Sequence, residues 1–279
     1  MGTDQVVEVE GRQFKITNLD KVLYPETGFT KGEVINYYVR IAPVLLPHLR
    51  DRPCTLRRYP NGVDGQSFYE KNVARHAPEW VRTERLSTPG SAQGNEYLDF
   101  VVIDDLPTLA WVANLAALEL HVPQWTVGND PDLLVFDLDP GPPATVVECG
   151  QVALLLREEL AEGGYEAYPK TSGSKGMQLY VPVAPDEMDT SAYARKLAER
   201  LARANPRQVV ATMAKAARSG KVFIDWSQNR PAKTTVAPYS LRARSRPTVS
   251  TPVTWQEVED CVNVEDRVQD FGDLLDYRR

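Results

Sequence analysis

Two periodicities alternate along this chain, and each change between them marks an element. Near the N-terminus Val6–Glu10 and Gln13–Ile16 flank Gly11 and predict a hairpin. Asn18–Pro25 predicts a turn or a single helical turn that Pro25 ends. Thr30-Lys31-Gly32-Glu33 has the form of a capping box, and Val34, Tyr37, Tyr38 and Ile41 follow at helical spacing. Pro43 is expected to kink or end that helix. Cys54–Tyr59, Trp80–Leu86, Glu96–Ile103 and Leu120–Trp125 read as strands, with a Ser/Pro/Gly loop at 87–95. Asp104 or Asp105 caps a helix predicted to run to Leu118. Leu133–Gly141 is a short, continuously apolar run that stops at Pro-Gly, the pattern of a buried strand. A helix over Thr145–Ala161 follows, closed by Gly163-Gly164, and then a strand over Tyr165–Pro169. Helices are predicted over Thr190–Ala204 and Pro206–Ala217, and a strand over Lys221–Trp226. Thr254 with Glu257 forms a second capping box.

Composition narrows the class. The 279 residues, 42% hydrophobic and 25% charged, can bury a large core in one domain or two intimate subdomains. No apolar run approaches membrane-spanning length and the N-terminus shows no signal peptide, so a cytoplasmic protein is expected. Cys54, Cys149 and Cys261 are far apart and odd in number, which fits a reducing compartment and no cysteine-based metal site. His48, His76 and His121 are too scattered for a zinc cluster. The net charge of −6 argues against a polyanionic partner, but its distribution does not. Residues 12–85 carry 13 Lys/Arg against 8 Asp/Glu, residues 86–165 carry 1 against 13, and residues 201–246 carry 10 against 1. An acidic middle between basic segments fits metal-binding carboxylates beside a nucleic-acid or phosphate partner.

The chemistry concentrates on the Leu133–Gly141 strand. Side chains alternate faces along a strand, so Asp137 and Asp139 project to one side and Leu138 to the other. Two half-desolvated acids on one face call for a cation, and a divalent ion with oxygen ligands suits them. Asp225 ends a second apolar strand and is the natural third ligand of a site holding two ions about 3.5–4 Å apart. Lys170–Tyr180 sets Ser172, Gly173, Ser174, Lys175 and Gly176 between two strands, a composition suited to a phosphate cradle though not a Walker A loop. Lys21 and Lys31 lie beside turns or helix starts, where backbone N–H groups are free, and together could hold a phosphate. Phe68 and Tyr69 sit beside charge and could stack bases. The pattern alone leaves His121 a satisfied core residue.

DKVLYP…TK, RRYPNGVDG, the aromatic–EK pair, ELHVPQW, VFDLDPG, TSGSKG, VFIDWSQN and KTTVAPYSLRAR occur here in one order. The set resembles the polymerase domain of bacterial ATP-dependent DNA ligase D and its stand-alone paralogues, members of the archaeo-eukaryotic primase superfamily that act in non-homologous end joining. The resemblance covers about residues 15–255. It implies an α+β fold: two antiparallel sheets flanked by helices, with the active site in the cleft between them. The whole chain would be one primase-polymerase domain, with a DNA- and 5′-phosphate-binding part over about 1–130, a catalytic part over about 131–255 and a peripheral segment over 256–279. It implies template-dependent nucleotidyl transfer to primer 3′-ends, ribonucleotides preferred, with two Mn2+ or Mg2+ ions on Asp137, Asp139 and Asp225. His121 then lies close to the reacting centre. Arg57, Ser172, Lys175, Gly176, Gln228 and Arg242 hold the incoming NTP or dNTP. Lys21 and Lys31 grip a 5′-phosphate on gapped or broken DNA, and Phe68 and Tyr69 stack on bases. The implied partners are such DNA, a ligase and Ku, acting on a monomer. Tyr69 stands where the family has Phe, Arg57 where it has Lys and Tyr59 where it has Trp. No ligase or phosphoesterase motif is recognised, so a stand-alone member or a domain cut from a longer chain is expected. Two other readings are a haloacid-dehalogenase-type phosphatase, which also carries a strand ending in DxD, and a non-catalytic module that bridges DNA ends.

Overall fold

The computed structural model describes residues 4–88 and 96–263. Most of the 87–95 loop, and the acidic end through Tyr277-Arg278-Arg279, lie outside the described residues. The chain divides into two units. One comprises residues through Val127 together with Thr234–Val249; the other comprises Gly128–Lys233 and the chain from Ser250.

The first unit opens with a hairpin of β1 (Gln5–Val9) and β2 (Arg12–Ile16), turned at Gly11 with φ +76°. Where a turn or helical turn was expected, β3 (Val22–Tyr24) pairs with β4 (Phe29–Thr30). The pairing follows burial: Leu23 and Tyr24 are fully enclosed, and the Tyr24 hydroxyl donates to the Arg242 carbonyl at 3.0 Å. Helix α1 (Lys31–Leu49) starts with the expected reciprocal Thr30–Glu33 box. It does not end at Pro43 but continues through it and through Pro47. Both prolines are exposed, so water can take the carbonyls they leave without a donor. The opposite face buries Val34, Tyr37, Tyr38, Ala42, Leu45 and Leu49, which outweighs the lost bonds.

Next come β5 (Pro53–Arg58), β6 (Phe68–Glu70), β7 (Thr83–Ser87) and β8 (Tyr97–Val102). Helix α2 (Leu106–Asn114), capped by Asp105, stops short of Leu118, because β9 (Ala117–Val122) is wholly buried and pairs with β5. Helices α1 and α2 pack together.

The second unit is built on β10 (Leu133–Pro140), the middle strand of a five-stranded sheet. Helix α3 (Val146–Glu162) begins with a capping box of Thr145 and Glu148 and ends at Gly163. β11 (Tyr168–Thr171) and β12 (Met177–Pro182) follow, then α4 (Thr190–Ala204). Pro206–Ala217 is not a helix. Val209 and Val210 are buried as β13 (Val209–Val210), which pairs in parallel with β14 (Val222–Asp225), and only Lys215–Arg218 forms a short 3-10 turn. The chain then returns to the first unit as β15 (Thr235–Val236), β16 (Leu241–Ala243) and β17 (Pro247–Val249). Helix α5 (Trp255–Asn263) belongs to the second unit and packs on α3, with the Val262 side chain close against Gly150.

The second unit's strands run in the order β11-β12-β10-β14-β13, antiparallel except for the last pair. Leu134, Phe136 and Leu138 face α3 and α4 and share one core with Met177, Leu179, Val181, Val222 and Ile224. Each such side chain contributes about 1.5–3 kcal/mol on burial. That core fixes the sheet register, and the register turns the intervening residues, Asp137 and Asp139 among them, to the other face. The first unit's main sheet has the order β15-β9-β5-β8-β7, with β6 also on β5. Among the described residues no helix is long and apolar enough to cross a membrane.

Candidate active site

In the second unit one row of side chains crosses four strands. Lys170 is opposite Gln178, Gln178 opposite Asp137, and Asp137 opposite Asp225. Asp139 lies two residues along on the same face of β10, opposite Phe223. The register thus brings the three predicted carboxylates to one face. Gln178 Nε2 donates to Asp137 Oδ1 at 3.0 Å. Asp225 Oδ1 accepts from the Ser227 backbone N–H at 3.0 Å and from its hydroxyl at 2.6 Å, and Oδ2 accepts from Gln228 Nε2 at 3.0 Å. Gln228, expected to touch nucleotide, here orients a carboxylate.

Burial pushes the Asp137 carboxyl well above the usual range, and the charges of Asp139 and Asp225 push the same way. The Gln178 hydrogen bond and the cation of Lys170 oppose them. With Asp137 turned to Gln178 and Asp225 to Ser227 and Gln228, no three His, Cys, Asp or Glu side chains among the described residues converge closely enough to hold an ion. The donor set nevertheless fits a hard divalent cation: its ligands are carboxylate oxygens, and the Asp137 charge is disfavoured without a cation.

The Ser/Gly/Lys loop joins β11 to β12. Ser172 Oγ accepts from the backbone N–H groups of Ser174 at 3.2 Å and Gly176 at 3.1 Å, around Gly173 at φ +65°. Lys175 is exposed at the tip. Gly176 has a packing reason to be glycine: a methyl group there would land on the Leu138 carbonyl oxygen, between the two acids of β10. The cradle is thereby pressed against the acidic strand.

In the first unit His121, Arg57 and Arg242 meet at a residue that motif reading left unassigned. Glu119, 1% exposed, accepts from His121 Nε2 at 2.9 Å through Oε2. Its Oε1 lies 3.3 Å from Arg242 Nε and accepts from the Ala243 N–H at 3.1 Å, while Arg57 Nη1 is 3.6 Å from Oε2. Burial alone would raise this carboxyl, yet the His121 hydrogen bond, Arg242 and the Ala243 N–H outweigh it and hold it at about 2. Burial lowers the His121 imidazole below its usual value; Arg242 and Arg57 push the same way and Glu119 resists. The signal for Glu119 was present in the sequence, as an acid two residues before His121 on an otherwise apolar strand, hence on the same face.

The Arg57 guanidinium stands 5.2 Å from the Tyr59 ring and 5.3 Å from the Tyr69 ring, and Arg58 stands 5.3 Å from Phe68. Both aromatics of the pair are exposed, Tyr69 by 56%. Tyr69 also meets the His121 ring edge-on at 5.9 Å.

Lys21 and Lys31 line one cavity of about 550 Å³ in the same unit, together with Lys15, Arg58, His76 and Trp111. Free backbone N–H groups are not the reason. The Lys31 and Gly32 amides bond the carbonyls of Lys21 and Leu19, both at 2.8 Å, and the Glu33 amide bonds Thr30. The positive potential comes from side chains. Lys31, 5% exposed, donates to the Thr17 carbonyl at 2.6 Å. Burial, with Lys21 and Arg58 nearby, lowers its pKa to about 8.

Acids sharing one face of a sheet, a hydroxyl- and lysine-bearing loop against the acidic strand, and cationic side chains gathered elsewhere are the equipment of a phosphate-handling enzyme. The chain belongs to the LigD primase-polymerase domain family, nucleotidyltransferases whose family model matches residues 30–275. It is 46% identical over 275 residues to the multifunctional non-homologous end joining protein LigD of Mycolicibacterium smegmatis, covering 94% of this chain and 35% of that protein. It is 34% identical over 251 residues to the bifunctional LigD of Bacillus subtilis, covering 88% and 40%. The chain therefore spans about a third of the length of the curated relatives it matches. The polymerase domain of Mycobacterium tuberculosis ligase D, solved in complex with DNA, superposes with a TM-score of 0.83 at 44% identity, covering 88% of both chains. That match bears out the α+β, primase-like fold, and family membership removes the dehalogenase-type reading.

Proposed function

We propose that this chain extends primer 3′-ends at gaps and broken DNA ends by template-dependent nucleotidyl transfer, as part of end-joining repair. The observation that carries the reading is the row of carboxylates, with Asp137 directly opposite Asp225 and Asp139 beside them. The 3′-hydroxyl gives its proton to water and its oxygen attacks the α-phosphorus in line; a new P–O bond forms, and the bond from the α-phosphorus to the bridging oxygen breaks to release pyrophosphate. Two divalent ions, Mn2+ or Mg2+, held by Asp137, Asp139 and Asp225, would supply the Lewis acidity that activates the hydroxyl and balances the triphosphate. Gln178 orients the Asp137 carboxylate, and Ser227 and Gln228 orient that of Asp225. Lys175 and Ser172, with Arg57 and Arg242, bind phosphate oxygens by charge-assisted contacts, and His121 sits near the reacting atoms. Ribonucleotides are preferred. Phe68 and Tyr69 stack on bases, and the flanking arginines suit the adjoining backbone.

The cavity around Lys21 and Lys31 takes the 5′-phosphate of the downstream strand. A terminal phosphate carries close to two charges and an internal diester one, so several ammonium and guanidinium groups around one cavity tell them apart. The chain works on DNA as a monomer in the cytoplasm, with a ligase and Ku as partners. Residues 1–130, 131–255 and 256–279 divide the labour as DNA-binding, catalytic and peripheral parts of one domain.

The test is binding and extension on gapped DNA with and without the 5′-phosphate. The wild type should bind the phosphorylated gap more tightly. At about 1 kcal/mol per contact, Lys21→Ala/Lys31→Ala should lose on the order of 10- to 100-fold, and only on that DNA. An equal loss on both DNAs would show a diffuse basic surface and refute the phosphate-sensing role. A wild type that binds but never extends a primer would support a bridging module instead.

A further inference from the structure

Glu119 opens the ELHVPQW motif but has no role assigned to it, and its carboxylate is the point where three assigned residues meet. It is 1% exposed and accepts from His121 Nε2 at 2.9 Å and from the Ala243 N–H at 3.1 Å, with Arg242 Nε at 3.3 Å and Arg57 Nη1 at 3.6 Å as ion-pair partners. Those partners come from three strands: β5 through Arg57, β9 through His121, and β16 through Arg242 and Ala243. Arg57 is also its direct cross-strand partner. A buried carboxylate is retained only where it is paired and hydrogen-bonded, and this one is both.

Two consequences follow from the geometry. An ionised carboxylate can only accept, so the ring nitrogen 2.9 Å away must carry the hydrogen. His121 is therefore fixed with hydrogen on Nε2, and in its neutral form Nδ1 keeps a free lone pair. The charge count is the second. Two guanidinium groups around one carboxylate leave a single surplus positive charge and do not repel each other apart. The surplus suits a phosphate oxygen, and the carboxylate sets the direction of both guanidinium groups.

We propose that Glu119 is a positioning residue of the nucleotide site, holding His121 in the Nε2–H tautomer and aiming Arg57 and Arg242 at the triphosphate. This rests on the proposed function, because the roles of those three residues do. Glu119→Gln removes the charge at constant shape. Its amide oxygen still accepts from one partner, but its NH2 faces another donor.

Two measurements test the role. The first uses the wild type alone: long-range 1H–15N spectra of the His121 ring should show hydrogen on Nε2. A neutral ring with hydrogen on Nδ1 would overturn the proposal. The second compares Glu119→Gln with wild type for nucleotide KM and for the Kd of nucleotide-free gapped DNA. The expected result is a rise of on the order of 10- to 100-fold in KM, a mixed or reversed His121 tautomer, and little change in DNA affinity. Should the glutamine variant fold poorly, Glu119→Asp keeps the charge, and the His121 tautomer should be retained while KM still rises. A variant that is only less heat-stable, with tautomer and KM unchanged, would make Glu119 purely structural and refute the inference alone. A wild type that binds no nucleotide would refute the proposed function, and the role of Glu119 with it.

Discussion

Lys31 shows how one side chain can be costly to the fold and useful to it. Its ammonium is buried against the Thr17 carbonyl with Lys21 and Arg58 close by, and burial first, then those charges, lower its pKa from 10.5 to about 8. Because the folded value lies below the unfolded one, Lys31 costs stability at neutral pH, and the cost fades as pH rises from about 8 towards 10.5. A phosphate bound there, as proposed, would supply the missing counter-charge. Affinity for a 5′-phosphorylated gap should therefore fall as pH climbs through about 8. Lys31→Gln should bind more weakly at pH 7 and show no such fall. Titrations of labelled gapped DNA between pH 6.5 and 9.5 read this directly, and an unchanged limb in the variant would remove Lys31 from the phosphate site. The residue type and its neighbourhood to a helix start were legible in the sequence. The cause was not: the expected free amides are occupied, and the potential arises from side chains that the fold gathers from residues 15 to 58.

The elements were legible where local chemistry decides them. Thr30–Glu33 and Thr254–Glu257 both form reciprocal caps as their spacing predicts, and Thr190–Ala204 is the helix its pattern describes. Prediction failed where non-local pairing wins. Val209-Val210 joins a parallel partner that the sequence does not announce, and Ala117 and Leu118 leave the helix for a buried ladder with β5. The loop between β11 and β12 carries a prediction at this scale. Gly176→Ala would drive a methyl onto the Leu138 carbonyl, so the loop must lift away from β10. A loss of about 1–3 kcal/mol in stability is expected, together with a raised nucleotide KM. Gly164→Ala is the control. It is strained only by φ +82° in open space, costing about 1–2 kcal/mol, and should leave KM unchanged. If both variants change KM alike, the cradle is not what holds the triphosphate.

At the scale of the whole molecule, the sequence carried the family and the acidic centre, because strand alternation alone puts Asp137 and Asp139 on one face. It did not carry the row from Lys170 to Asp225, which exists only through the register of four strands. Nor did it carry the return of Thr234–Val249 to the first unit after more than a hundred residues in the second. An overall charge of −6 with basic segments over 12–85 and 201–246 predicts DNA binding that weakens steeply with salt. Asp137→Ala, Asp139→Ala and Asp225→Ala should keep that binding, because each removes negative charge while deleting a cation ligand. Pyrophosphate release, followed on a primed, gapped template with nucleotides and Mn2+ or Mg2+, is the most direct measurement. The wild type should release one pyrophosphate per nucleotide added, and each alanine variant should release essentially none while binding the same DNA. Release at near wild-type rate by Asp137→Ala or Asp225→Ala would contradict a reaction centred on the β10–β14 acids.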